Sequence, residues 1–114
     1  MSTKNFLVKL KEFLTPERWH KYSYATRNGV QIGVGYADNS CQFCLLGAAM
    51  YLSRNSNDWY IRTYSVLHLA ARRKGYTGIP DFNDAAETKY EDVMELLKET
   101  INECEETITT NVGF

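Results

Sequence analysis

Residues 41–49, Cys41-Gln42-Phe43-Cys44-Leu45-Leu46-Gly47-Ala48-Ala49, constrain this chain more than any other stretch. Cys44, Gly47 and Ala48 fall at i, i+3 and i+4, so on a helix they share one face. That face is flat and thin, and it lets another helix or the hairpin approach closely. The same nine residues hold two thiols three positions apart. They could be a redox pair, half of a metal site, or a packing stripe beginning with a small hydrophobe, and each alternative predicts a different protein.

The flanking sequence reads as four helices and one hairpin. Phe6, Leu7, Leu10, Phe13 and Leu14 recur at helical spacing and predict a first helix over Lys4–Leu14. Thr15-Pro16-Glu17 predicts a short helical turn carrying Trp19 and His20. Asn28-Gly29 between the β-prone runs 22–27 and 30–34 predicts a two-residue hairpin, because both central positions of its turn need positive φ. A second helix is expected over Gln42–Ser53. A third begins near Ser56-Asn57-Asp58, buries Trp59, Thr63, Val66, Leu67 and Ala70, and stops at Arg72-Arg73-Lys74-Gly75. Residues 76–84 read as a linker. Thr88-Lys89-Tyr90-Glu91 reads as a capping box for a last helix with Val93, Leu96, Leu97, Ile101, Cys104 and Ile108 inside. The expected fold is mainly α (α+β): about four helices plus one β-hairpin near 22–34, in a single compact domain over 1–114.

Composition supports an ordinary core, with 44% apolar and 24% charged residues. Eight tyrosines among 114 residues are more than a core of this size holds, so several are expected at the surface. The N-terminus has no signal-peptide run, and no segment approaches the roughly 20 apolar residues that span a bilayer. A cytoplasmic location follows, with three free cysteines in a reducing compartment.

The chemistry-bearing residues meet the demands of each reaction poorly. A thioredoxin-type pair needs a strand before the helix and a nearby cis-proline, and the prolines are only Pro16 and Pro80. Zinc would need Cys41 and Cys44 joined by two of Cys104, His20 and His68, with no second paired motif, so no metal site is expected. A cysteine hydrolase would take Cys44 as nucleophile, His68 or His20 as base and Asn83 or Asp84 as orienter. Yet His68 sits between Leu67 and Leu69, and Cys44 runs into Leu-Leu-Gly-Ala-Ala, a packing surface. Asn83 and Asp84 have a structural role open to them: capping the turn before the last helix, or bonding across the fold to the Cys44 helix terminus. No cofactor is implied.

Charge is split along the chain. Residues 1–74 hold eleven of the thirteen lysines and arginines, while residues 75–114 hold ten of the fourteen acids. The halves either neutralise one another or expose faces for partners of opposite sign. Lys9, Lys11, Arg18, Lys21, Arg27 and the 72–74 triplet beside Trp19, Tyr22 and Tyr24 make nucleic acid a possible ligand, although no reader motif is present.

Trp19, Cys44-Leu45-Leu46-Gly47-Ala48, Phe82-Asn83-Asp84 and the final helix from Thr88, in that order, resemble a small uncharacterised family of bacterial and phage proteins. The likeness covers about residues 15–105. It implies a compact helical fold with a hairpin, one patterned cysteine at Cys44, none at Cys41, no dependable histidine and no established activity. A phage or prophage origin accords with it. The resulting expectation is a non-enzymatic interaction protein of the kind a phage or prophage accessory factor represents, binding a host protein in the host cytoplasm. Its contact surface would be Arg18, Trp19, Tyr22, Tyr24 and Arg27, or the glutamate face at Glu95 and Glu99. Cys44, Gly47, Ala48, Asn83 and Asp84 form its structural motif. A thiol-dependent enzyme using Cys44, His68 and Asp84 is the runner-up, and a nucleic-acid-associated regulator is third.

Overall fold

A computed structural model describes the backbone over residues 2–112 and the side chains over residues 2–104. Ser2 caps helix α1 (Thr3–Phe13) by accepting the Asn5 N–H at 3.0 Å, and the helix buries Phe6, Leu7 and Leu10. Strands β1 (Ala25–Arg27) and β2 (Val30–Ile32) form the expected hairpin, with Asn28 at φ +53° and Gly29 at φ +80° in the turn. The chain then makes a 3₁₀ turn over Val34–Tyr36 and enters a strand that the sequence did not announce, β3 (Gln42–Phe43). β3 pairs antiparallel with β1, giving the order β2-β1-β3. Trp19 bridges the far side of Phe43, whose N–H donates to Arg18 and whose carbonyl accepts from His20. The expected short turn is present over residues 16–18, where the Arg18 and Trp19 N–H groups both donate to the Thr15 carbonyl, but Trp19 and His20 themselves leave it as an extended row beside Phe43.

Helix α2 (Leu45–Leu52) is nearly all buried. Helix α3 (Asn57–Arg73) buries Thr63, Leu67, Ala70 and Ala71, while Trp59 and Val66 are only half-buried. It ends in a Schellman motif: Gly75 takes φ +97°, its N–H reaches the Arg72 carbonyl, and the Tyr76 N–H reaches Ala71. Residues 79–84, expected as linker, form helix α4 (Ile79–Asp84), with Pro80 in its first turn and Ile79, Phe82 and Asn83 buried. Helix α5 (Tyr90–Val112) begins one capping position later than the sequence suggests. Asp92, not Glu91, reaches back to a main-chain N–H, that of Lys89 at 2.8 Å. Its buried stripe is Val93, Leu96, Leu97 and Thr100, with Ile101 and Cys104 at the edge. The expected burial of Ile108 lies outside the described side chains.

Among the described residues the fold is mainly helical α+β, with five helices, four of them of eight residues or more, and one three-stranded antiparallel sheet. α1 lies against α5 and α3, and α2 fits between α1, α3 and α4. The aromatic rings of Phe13, Phe43 and Tyr51 meet at 5.0–5.7 Å and weld α1, β3 and α2 together. Among the described residues no helix is long and apolar enough to cross a membrane.

Candidate functional site

Gly47 shows what the small-residue stripe is for. A Cβ placed there would stand 1.9 Å from the Tyr24 carbonyl oxygen and 2.6 Å from its carbon. The stripe is therefore the seat of the chain entering the hairpin, not a helix–helix crossing. Cys44 stands just before α2 as its N-cap, and its Sγ accepts the Gly47 N–H at 3.2 Å. Burial pushes its thiol up to about 11, against a partly opposing hydrogen bond from Gly47. A thiol so placed stays protonated near neutral pH and presents no face to solvent, which are the wrong properties for a nucleophile. Cys41 is buried too, with its Sγ 3.6 Å from Asp38 Oδ1. Among the described residues, no group of three His, Cys, Asp or Glu side chains is placed to hold a metal ion.

Asn83 is the centre of the arrangement. It is fully buried, and its Oδ1 accepts from Trp19 Nε1 at 2.6 Å and from the Leu45 N–H at 3.0 Å. Its Nδ2 donates to the His20 carbonyl at 3.1 Å and to Asp84 Oδ1 at 2.9 Å. The amide orientation is fixed by this network, since the indole and main-chain N–H groups can only donate. The expected bond between the 83–84 segment and the Cys44 helix terminus is present.

Asp84 continues the clasp. Its Oδ1 also accepts the Tyr22 N–H at 2.9 Å, and Lys21 Nζ donates to the neighbouring Ala85 carbonyl at 2.6 Å. Residues 19–22 are thereby laced to residues 83–85, and Tyr22 is held at φ +77°. A tyrosine in left-handed backbone is strained, unlike the asparagine and glycines that share that region here. Its side chain is nonetheless 74% exposed. Beneath it, burial lowers the pKa of His20, partly offset by a main-chain hydrogen bond at Ser23 and the charge of Asp84.

The other sequence-nominated residues separate into engaged and open. Arg18 donates to the Phe13 and Asn39 carbonyls and lies over the Phe13 ring. Arg27 bonds Asp38 at 3.0 Å and the Tyr36 carbonyl. Trp19 is half-buried, its N–H already spent on Asn83. Glu99 pairs with Lys74 at 3.1 Å, leaving Glu95 exposed beside it. His68 stacks on Tyr64 away from these contacts, its Nδ1 buried without a partner and facing Gly78. Of the proposed contact residues on the hairpin side, Tyr22 and Tyr24 remain open. Two residues outside that set are also open, Val30 beside the turn and Tyr36, the latter 82% exposed with its ring against Gly33. Gly33 follows Ile32, which pairs with Ala25, so Tyr36 and Tyr24 stand at the same end of the hairpin. The signal available was compositional: Tyr-Ser-Tyr at 22–24, and glycine, tyrosine, asparagine and serine through 33–40.

The family model for a family of unknown function, DUF6197, matches residues 1–103, covering the clasp, the capped α2 terminus and the hairpin together. The chain belongs to DUF6197. No curated protein and no solved structure matches it. In this DUF6197 chain, Trp19, Cys44, Gly47 and Asn83 converge on one junction of loop, helix terminus and short helix.

Proposed function

We propose that this protein is a non-enzymatic binding module that engages a protein partner through the exposed tyrosines at the open end of its hairpin. The observation that carries the proposal is Tyr22: an aromatic side chain held outward on strained backbone by a carboxylate from another element. Strain of this kind costs about 1–3 kcal/mol and persists where the surroundings impose it, characteristically at binding and catalytic sites. Tyr24 and Tyr36 supply further exposed apolar area at that end of the hairpin, and the accompanying serine, glycine and asparagine match the composition of adaptable protein-binding loops. The likeness to bacterial and phage proteins favours an accessory factor acting on a host protein in the host cytoplasm. The acidic-face alternative has less support, because Glu99 and Glu103 are paired with Lys74 and Arg73. Those pairs also draw two members of the basic triplet away from any phosphate backbone.

The test separates strain from contact. Glycine tolerates φ +77° freely, so Tyr22→Gly should leave thermal stability equal or higher while removing most of the partner recovered by affinity capture from host cells. Capture unchanged by Tyr22→Gly and by Tyr24→Ser would overturn the assignment.

A further inference from the structure

The hairpin turn carries a reactive pair that neither the clasp nor the tyrosine surface uses. Asn28 is the only asparagine in the sequence followed by glycine. Both residues are exposed, and nothing lies within 4 Å of the position a Gly29 Cβ would occupy. Among the described residues the Asn28 side-chain amide has no hydrogen-bond partner. The contrast with Asn83, buried with four bonds, and Asn39, whose Oδ1 accepts the Tyr51 hydroxyl, is complete.

We propose that Asn28–Gly29 is a site of spontaneous covalent modification, in which the turn converts to a mixture of isoaspartate and aspartate. The main-chain nitrogen of Gly29 attacks Cγ of Asn28, forming a new N–C bond. The Cγ–Nδ2 bond breaks, and Nδ2 leaves as ammonia with the proton lost from the Gly29 nitrogen. The product is a five-membered succinimide. Solvent water then adds to one of its two carbonyls, and the ring opens to aspartate or to isoaspartate without any change of oxidation state. Glycine favours the attack because it has no side chain to obstruct the approach and permits wide dihedral swings. The left-handed turn must open for the nitrogen to reach Cγ, so the Arg27–Val30 pair beside it acts as a brake and the reaction runs through fraying of the hairpin.

The consequence is structural. Isoaspartate adds a main-chain carbon to a loop whose geometry depends on two residues at positive φ, and either product adds a negative charge beside the Arg27–Asp38 pair. This inference stands apart from the proposed partner binding.

Prolonged incubation of the full chain in mildly alkaline buffer, followed by peptide mapping, tests it. Asn28 should lose its amide several-fold faster than every other asparagine, and its peptide should resolve into two isomers. An isoaspartyl methyltransferase should label the aged protein, and the label should disappear in Asn28→Gly, which keeps a turn-compatible residue at that position. An asparagine elsewhere converting first, an Asn28 that stays intact, or methyl labelling that survives in Asn28→Gly would overturn the proposal.

Discussion

Asn83 has two amide protons and two lone-pair positions on its side chain, and all four are used inside the protein. Such a group is poorly replaced. Asn83→Ala strands the Trp19 indole N–H and the Leu45 N–H in buried surroundings, at a cost of roughly 3 kcal/mol by urea denaturation. Asn83→Asp keeps an acceptor for those two donors. It also turns a second oxygen toward the His20 carbonyl and Asp84, two acceptors, and buries a charge. The aspartate variant should therefore be at least as unstable as the alanine one near neutral pH. Equal stability of wild type and Asn83→Asp would show that the amide is not held as described. Tyr22 belongs to the same scale, since its unusual dihedral depends on one oxygen of Asp84.

At the level of elements, the close contact of α2 with the hairpin predicts that Gly47→Ala is among the most damaging single methyl additions in the chain. The added carbon would overlap main-chain atoms of Tyr24, which cannot rotate aside. Overpacking of this kind costs about 1–3 kcal/mol, and amide exchange in β1 should quicken with it. In contrast, the ion pairs Arg73–Glu103 and Lys74–Glu99 that join α3 to α5 are substantially exposed. Lys74→Ala should change stability by less than about 1 kcal/mol, and by less still in high salt.

Helices α1, α3 and α5 were legible because their apolar positions repeat with the helical period, and α3 carries its stop signal in Gly75. The hairpin was legible from Asn28-Gly29. Other features were not, for identifiable reasons. α4 is only six residues long and has Gly78 and Pro80 at its start, so it reads locally as linker. β3 is two residues whose strand partners lie in β1, and no local pattern signals such pairing. The row at Trp19 is extended because it bonds Phe43, and Tyr22 is left-handed because it bonds Asp84; both causes are far away in sequence. At the candidate site, the stripe and the role of Asn83 could be read in outline. Arg18 and Arg27 could not be sorted from the open tyrosines, since their engagement depends on carbonyls that folding brings near.

For the whole molecule, titration sets the stable window. Cys44 ionises near 9.0 when unfolded and is held protonated to about 11 when folded. Its contribution is complete below pH 9 and is lost as pH rises toward 11. Tyr60 and Tyr90, both raised chiefly by burial, steepen the loss above pH 10. On the acid side, the folded state protonates His20 less readily than the unfolded chain does, so stability falls as pH drops below 6.5. Asp38, lowered from 3.8 to about 2 chiefly by the Ser40 hydroxyl and N–H, adds a second loss between those values. Denaturation midpoints should form a plateau from about pH 6.5 to 9, and Cys44→Ser should flatten the first part of the alkaline decline. A midpoint still rising at pH 10 would contradict the burial of the thiol.

The clasp also bears on the order of events during folding. The bond from Trp19 to Asn83 closes a separation of 64 residues, and the bond from Leu45 closes one of 38. Contacts across such distances wait until the intervening chain has been gathered in, whereas the helices and the Asn28-Gly29 hairpin form from neighbours. Asn83 therefore acts as a latch set after the transition state. Its removal in Asn83→Ala should leave the refolding rate nearly unchanged and speed unfolding, so that the lost stability appears as a shortened native lifetime.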